Sequence, residues 1–233
     1  MAGAEAHHQH RDVQGGWLRP AVFGAMDGLV SNLGLISGVA GSSASSQTIV
    51  VAGMAGMAAG AFSMAAGEYT SVAAQRELVL AELAVERAEL TRHPEDELAE
   101  LAGVFEARGV EPGLAREVAR QLSVDPEQAL EIHAREELGV GPADLPSPLV
   151  AAASSFGAFA LGALLPVAPY LLGAASLWPA VLVALVGLFV CGALVARVTA
   201  RPWWFSGLRQ LALGAAAAGL TYLLGTVFDT AVG

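Results

Sequence analysis

Five apolar runs constrain this chain more than any other feature. They span residues 20–41, 49–66, 149–172, 177–196 and 208–228. At about 1.5 Å of rise per residue, the first run alone reaches about 33 Å, enough for a hydrocarbon core of about 30 Å. Hydrophobic residues make up 55% of the 233 positions and charged residues 15%, too apolar a mix to hide in one soluble core. In lipid a backbone must satisfy its own hydrogen bonds, and runs of this length do so as helices. The expected fold is an all-α membrane protein with five transmembrane helices.

The segments between the runs divide the chain further. Residues 1–16 read as a polar tail carrying His7, His8 and His10, with no signal-peptide pattern. Residues 17–69 hold transmembrane helices 1 and 2, joined by an uncharged loop at 42–48. The second run is rich in small residues (Gly53, Gly56, Ala59, Gly60), which let helices approach closely in lipid. No breaker follows it, so one long helix is expected to leave the membrane and continue to Arg92, where His93-Pro94 ends it. Shorter helices are expected at 95–108, 112–122 and 126–138, with Gly109 and Gly139 as stops. They make residues 70–145 an acidic helical module between helices 2 and 3. A Pro-rich connector at 141–148 leads into 146–233 and helices 3–5. Pro166 and Pro169 predict a kink or break in the third run. Trp178, Trp203, Trp204 and Tyr222 are candidate interfacial anchors.

Charge is unevenly placed. Of 22 acidic residues, 17 fall between Glu77 and Asp144, which excludes nucleic acid as a partner and favours cations. All 12 basic residues are Arg. They lie in residues 1–19, in 67–148, and in 197–207 with the adjoining Arg209, whereas the loops at 42–48 and 173–176 and the C-terminal tail have none. By the positive-inside rule the N-terminus and acidic module are cytoplasmic and the C-terminus is outside. The Arg-only, Ala-rich composition points to a bacterial plasma membrane. The lone Cys191 sits in an apolar run and supports neither a disulfide framework nor a thiolate metal site.

Several residues could carry chemistry. Asp27 lies within a membrane run, where a carboxylate costs several kcal/mol unless it meets a partner, a cavity or water. Its functional reading is a cation or proton site; the plain one is an interfacial carboxylate that snorkels. Met64 offers a thioether ligand or ordinary packing, as does Met57, and Glu68 follows Met64 by one turn on the same face. In the module, Glu82, Glu86 and Glu89 share a face, as do Glu97 and Glu100, while Glu136 and Glu137 follow His133 by a turn. Like charges so spaced repel, so either cations or arginines such as Arg76, Arg87, Arg92 and Arg135 must neutralise them. Oxygen-rich sites favour Mg, Ca, Mn and Fe(II). The chain has no phosphate loop and no nucleophile elbow, and its lone Glu-x-x-His is Glu5 to His8 in the tail. A secondary transporter, not an enzyme, is expected.

Three segments resemble the vacuolar iron transporter family, which includes the yeast calcium-cross-complementer proteins. They are Asp27-Gly-Leu-Val-Ser31-Asn-Leu-Gly34, the stretch from Met64 through Glu68-Tyr69 to Arg76-Glu77, and Glu136-Glu137-Leu138-Gly139. The likeness covers about residues 12–230. It implies a homodimeric, proton-coupled exporter of Fe(II), with Mn(II) as a further cargo, and a path at the dimer interface. Metal ions would be cargo and module-bound ions, protons the counter-ion, and no cofactor would be held permanently. The path residues it implies are Asp27, Met64 and Glu68. The module's metal residues would be Glu86, Glu89, Glu97, Glu100 and Glu137. His133 and Ala134 stand where the family has methionines, so His133 joins the ligand set as a borderline ligand that also suits Zn, Ni and Co. Two other readings stand beside the exporter: a membrane-tethered metal sensor or buffer, and a scaffold whose carboxylates are solvated and Arg-paired.

Overall fold

The computed structural model describes residues 16–197 and 201–232, so the tail histidines His7, His8 and His10 lie outside the described residues. All regular elements among those residues are helical: α1 (Leu18–Gly41), α2 (Ser46–Arg92), α3 (Pro94–Ala107), α4 (Pro112–Leu122), α5 (Pro126–His133), α6 (Pro148–Leu171), α7 (Trp178–Val195) and α8 (Trp203–Val232). Five of them, α1, α2, α6, α7 and α8, are long and apolar enough to cross a membrane. The protein is an all-helical membrane protein. Its chain gathers into two units: Ser71–Ser147 forms one, and the segments before and after it form the other.

In the membrane unit α1 is the central helix, packed against α6, α7 and α8. Leu29, Leu33 and Ile36 are fully buried on it. The contact with α6 is made backbone to backbone. A Cβ on Gly28 would overlap Phe159 O and lie 2.8 Å from Ala163 N, and one on Gly162 would run into Ala25 O. Small residues on α2 do something different. Gly53 and Gly60 receive side chains, the Val167 methyls and the Phe159 ring. Main-chain contact of this kind joins α1 to α6 and also to α8, where a Cβ on Gly225 would run into Gly38 O, both outside the run whose composition suggested it.

Helix ends follow local chemistry. Ser45 accepts the Thr48 N–H at 3.2 Å, so α2 begins at Ser46, earlier than its apolar run. Asp125 accepts from Glu127 N at 3.0 Å, with Pro126 at the first helical position of α5. Helix α2 continues unbroken over 47 residues to Arg92. Helix α6 also runs unbroken through Pro166 and Pro169, both near its C-terminal end, where each lacks its own N–H and so removes the one bond to the carbonyl four residues before it. The expected helix over 126–138 is α only to His133. A π-helical turn at Ala134–Leu138 replaces its last part, and Gly139 closes it at φ 70°.

Trp178, Trp203 and Trp204 lie exposed at the starts of α7 and α8, and Tyr222 is exposed within α8. Cys191 is partly buried against the core cluster of Leu29, Leu33 and Leu188.

Candidate functional site

Two cavities stand out among the described residues of the membrane unit. The larger, about 560 Å³, is lined by residues such as Ser37, Tyr170, Trp178 and Tyr222 and includes no carboxylate, imidazole or sulfur. The smaller, about 200 Å³, is a groove between α1 and α2 floored by Phe159, and its lining includes Asp27, Ser31, Asn32 and Met64. Chemistry able to bind a cation is in the smaller one.

Periodicity explains how α1 fills that groove. Asp27 and Ser31 are four residues apart, and Ser31 Oγ donates to Asp27 Oδ1 at 2.5 Å. The carboxylate is half-buried. Asn32 is 2% exposed; its Nδ2 donates to Ala163 O at 2.6 Å, and its Oδ1 has no partner. From α2, Met64 both lines the groove and packs on the Ala61, Phe159 and Ala163 cluster. Glu68, one turn further along α2, is half-buried and outside the groove lining. Asp27 and Met64, far apart in sequence, therefore share one groove, and Glu68 does not enter it. Ser31 and Asn32 are groove residues that the sequence reading passed over; a buried amide in a membrane helix was the available signal.

The second unit holds a different cluster. Glu86 of α2, Glu97 of α3, His133 of α5 and Glu137 of the π-helical turn each offer one ligand atom, all within 4.8 Å of one another. His133 Nδ1 lies 2.9 Å from Glu86 Oε1, 3.4 Å from Glu137 Oε1 and 3.5 Å from Glu97 Oε2. His133 is 1% exposed, while its Nε2 and Glu86 Oε1 are buried without a hydrogen-bond partner. Although Glu86 Oε1 is close to Nδ1, the angles do not make a hydrogen bond. The atoms converge on a point, and His133 Nδ1 is hydrogen-bonded there to Glu137 Oε1 at 3.4 Å. The π turn sets Glu137 beside the ring four residues before it.

Electrostatics inside the cluster are adverse. Burial first, then the charges of Glu137 and Glu97, push the Glu86 carboxyl up to about 7. Burial is also the main cause raising Glu97, with His133 opposing it. Even a protonated His133 brings one positive charge to three carboxylates. Five of the arginines are engaged elsewhere. Arg87 grips Glu127 through two bonds of 2.8 and 2.9 Å, Arg108 pairs with Glu136, and Arg120 with Glu117. Arg135 holds Glu131 at 2.9 Å, and Arg76 reaches Leu145 O. Among the described residues no Arg forms an ion pair with any of the four cluster residues. A divalent cation fits this donor set: three oxygens and one imidazole nitrogen.

Glu89 and Glu100, the other two module residues singled out in the sequence, are not in the four. Glu89 faces His93 at 3.8 Å, and Glu100 is exposed, close enough for its charge to act on Glu86.

An all-helical membrane bundle with a carboxylate and a thioether in one groove, in a chain that also carries an acidic helical unit, defines a class of membrane proteins with the chemistry to bind a cation. Comparison with known sequences narrows it: a model of the VIT family matches residues 18–226. The chain belongs to that family. It is similar to the vacuolar iron transporter of Acanthamoeba castellanii, 37% identical over 79% of this chain and 72% of that protein. It is also similar to vacuolar iron transporter 1 of Arabidopsis thaliana, 30% identical over 95% of this chain and 90% of the relative. Vacuolar iron transporter 1 of Oryza sativa is 28% identical, with 98% and 93% covered.

Proposed function

We propose that the protein exports divalent transition metal from the cytoplasm, Fe(II) and also Mn(II), in exchange for protons. The observation that carries transport, as opposed to binding alone, is the groove in which Asp27 and Met64 meet within the membrane helices. A passive anchor gains nothing from a carboxylate there. The relatives named as iron transporters support the cargo. Arginine asymmetry supports a cytoplasmic N-terminus and acidic unit with the C-terminus outside, and the composition supports a bacterial plasma membrane.

In this reading the Glu86, Glu97, His133 and Glu137 cluster gathers metal from the cytoplasm. The Asp27 carboxylate and Met64 thioether then bind it in the membrane, with Glu68 one turn away along α2. Protons returning down their gradient reset the carboxylates. A homodimer, with the path along the protomer interface, belongs to the same proposal.

The test is metal flux into proteoliposomes holding a metal-sensitive dye under an imposed pH gradient. Fe(II) and Mn(II) flux should depend on the gradient, and Asp27→Ala should abolish it in a folded protein. Retained flux in Asp27→Ala would refute this path. The four-residue cluster also favours a second reading, a membrane-tethered metal buffer. Tight binding without flux for any metal would select it.

A further inference from the structure

Asn32 is the one groove residue whose polar atom is both buried and unpartnered, and its orientation is not arbitrary. Ala163 O can only accept, so the amide nitrogen must face it, and the bond of 2.6 Å fixes the side chain. Oδ1 is thereby turned away from α6. It sits in a residue 2% exposed, on the lining of the groove that holds Asp27 and Met64, and has no donor. A buried amide oxygen left unpaired is costly, so its persistence calls for a partner that arrives from the groove.

The neighbouring surface leaves that oxygen room. Gly56 of α2 lies opposite it, and a Cβ there would come to 3.0 Å from Asn32 Oδ1. Ser31 already donates to Asp27 and Ser63 is exposed, so Asn32 Oδ1 is the buried neutral oxygen left for a cation.

We propose that Asn32 is a specificity-determining ligand: its amide oxygen takes the place of a water on a divalent cation held by Asp27 and Met64. The inference rests on the reading of this groove as a cation path. A carboxylate oxygen plus an amide oxygen biases the site toward harder ions such as Mn(II), while the thioether alone would bias it toward softer ones. Asn32 thus weights the groove against the sulfur of Met64.

The experiment measures Mn(II) binding by electron paramagnetic resonance, and Co(II) binding by calorimetry, on the purified full chain. It is done in a background carrying Glu86→Gln, Glu97→Gln, His133→Ala and Glu137→Gln, so that the groove is the site read out. Asn32→Leu keeps the volume and removes the oxygen. The expected result is a loss of Mn(II) affinity of about tenfold or more, with a smaller loss for Co(II). Gly56→Ala leaves the Asn32 side chain in the protein and places a methyl 3.0 Å from Oδ1, with the flexible tip of Leu35 giving way; it should shift Mn(II) binding the same way, and it serves if Asn32→Leu does not fold. Unchanged Mn(II) binding in a folded variant, or equal losses for both metals, would overturn the proposal and leave Asn32 as a tie between α1 and α6. Flux assays run in parallel keep the two readings apart. Asn32-dependent binding without wild-type flux would sink transport but not the ligand.

Discussion

His133 Nδ1 and Glu86 Oε1 lie 2.9 Å apart, yet neither is hydrogen-bonded to the other, and the opposite ring nitrogen of His133 is buried with no partner at all. With Nδ1 reaching only Glu137 at 3.4 Å and Glu86 Oε1 buried without a partner, the two groups are expected to share a third body. In the full chain, Glu86→Gln or His133→Ala should weaken Mn(II) or Co(II) binding at the cluster by about tenfold or more, read by calorimetry. Unchanged affinity in both variants would show that the four residues do not form the site.

Proton linkage gives a second expectation. The Glu86 carboxyl is raised from 4.5 to about 7, so the folded protein holds a proton there that the unfolded chain has released. A raised carboxyl contributes stability that is fully present below about 4.5 and is lost as pH rises through about 7. With chelator present, the thermal midpoint attributable to this unit should therefore fall between pH 5 and pH 8. Divalent metal should restore it at the upper end, because binding displaces the proton and supplies the missing charge. A midpoint that rises over that interval in chelator would contradict the cluster's electrostatics.

The arginine pairs should matter much less. Arg87 and Glu127 form two short bonds, but their side chains are 59% and 70% exposed. Arg87→Ala should cost about 0–1 kcal/mol in thermal or denaturant unfolding and leave metal affinity unchanged. A marked loss of metal affinity would mean the surface pairs hold the cluster in place.

Glycines separate packing from propensity. Gly28→Ala sets a methyl against the backbone of α6, and overpacking of this kind costs about 1–3 kcal/mol or more. Gly157→Ala, on the same α6, meets nothing within 4 Å and should be neutral or stabilising by about 0.5–1 kcal/mol. Thermal midpoints of the two variants in lipid nanodiscs check the contrast; equal effects would deny the close approach of α1 and α6.

How much of this was legible in the sequence depended on whether the signal was local. Ends marked by Pro, Gly or a capping side chain could be read within a residue or two, as at His93-Pro94 and Asp125-Pro126. The continuity of α2 followed from the absence of any breaker. Side-chain spacing told which carboxylates share a face but not which of them turns inward. Glu86 meets His133, whereas Glu89, three residues on, faces His93. The π turn at Ala134–Leu138 has no local signature, and it is tertiary packing of Leu130 and Ala134 against Leu83 that accompanies it. Asn32 was hidden for a related reason. An amide in an apolar run looks like a tolerated polar residue until its hydrogen bond to Ala163 shows which atom is left over.

The contact of α1 with α6 also has a mechanical consequence. Helices touching through main-chain atoms at Gly28 and Gly162 have no soft side-chain layer between them and are expected to travel as one body. Helix α2 meets the same pair through tips that can rotate, the Phe159 ring over Gly60 and the Val167 methyls over Gly53. Any rocking that opens the groove to one side and then the other should therefore fall between α2 and the α1–α6 body. Spin labels placed on α1 and α6 in a Cys191→Ser background should hold a constant separation with and without Mn(II), while a label on α2 shifts against both.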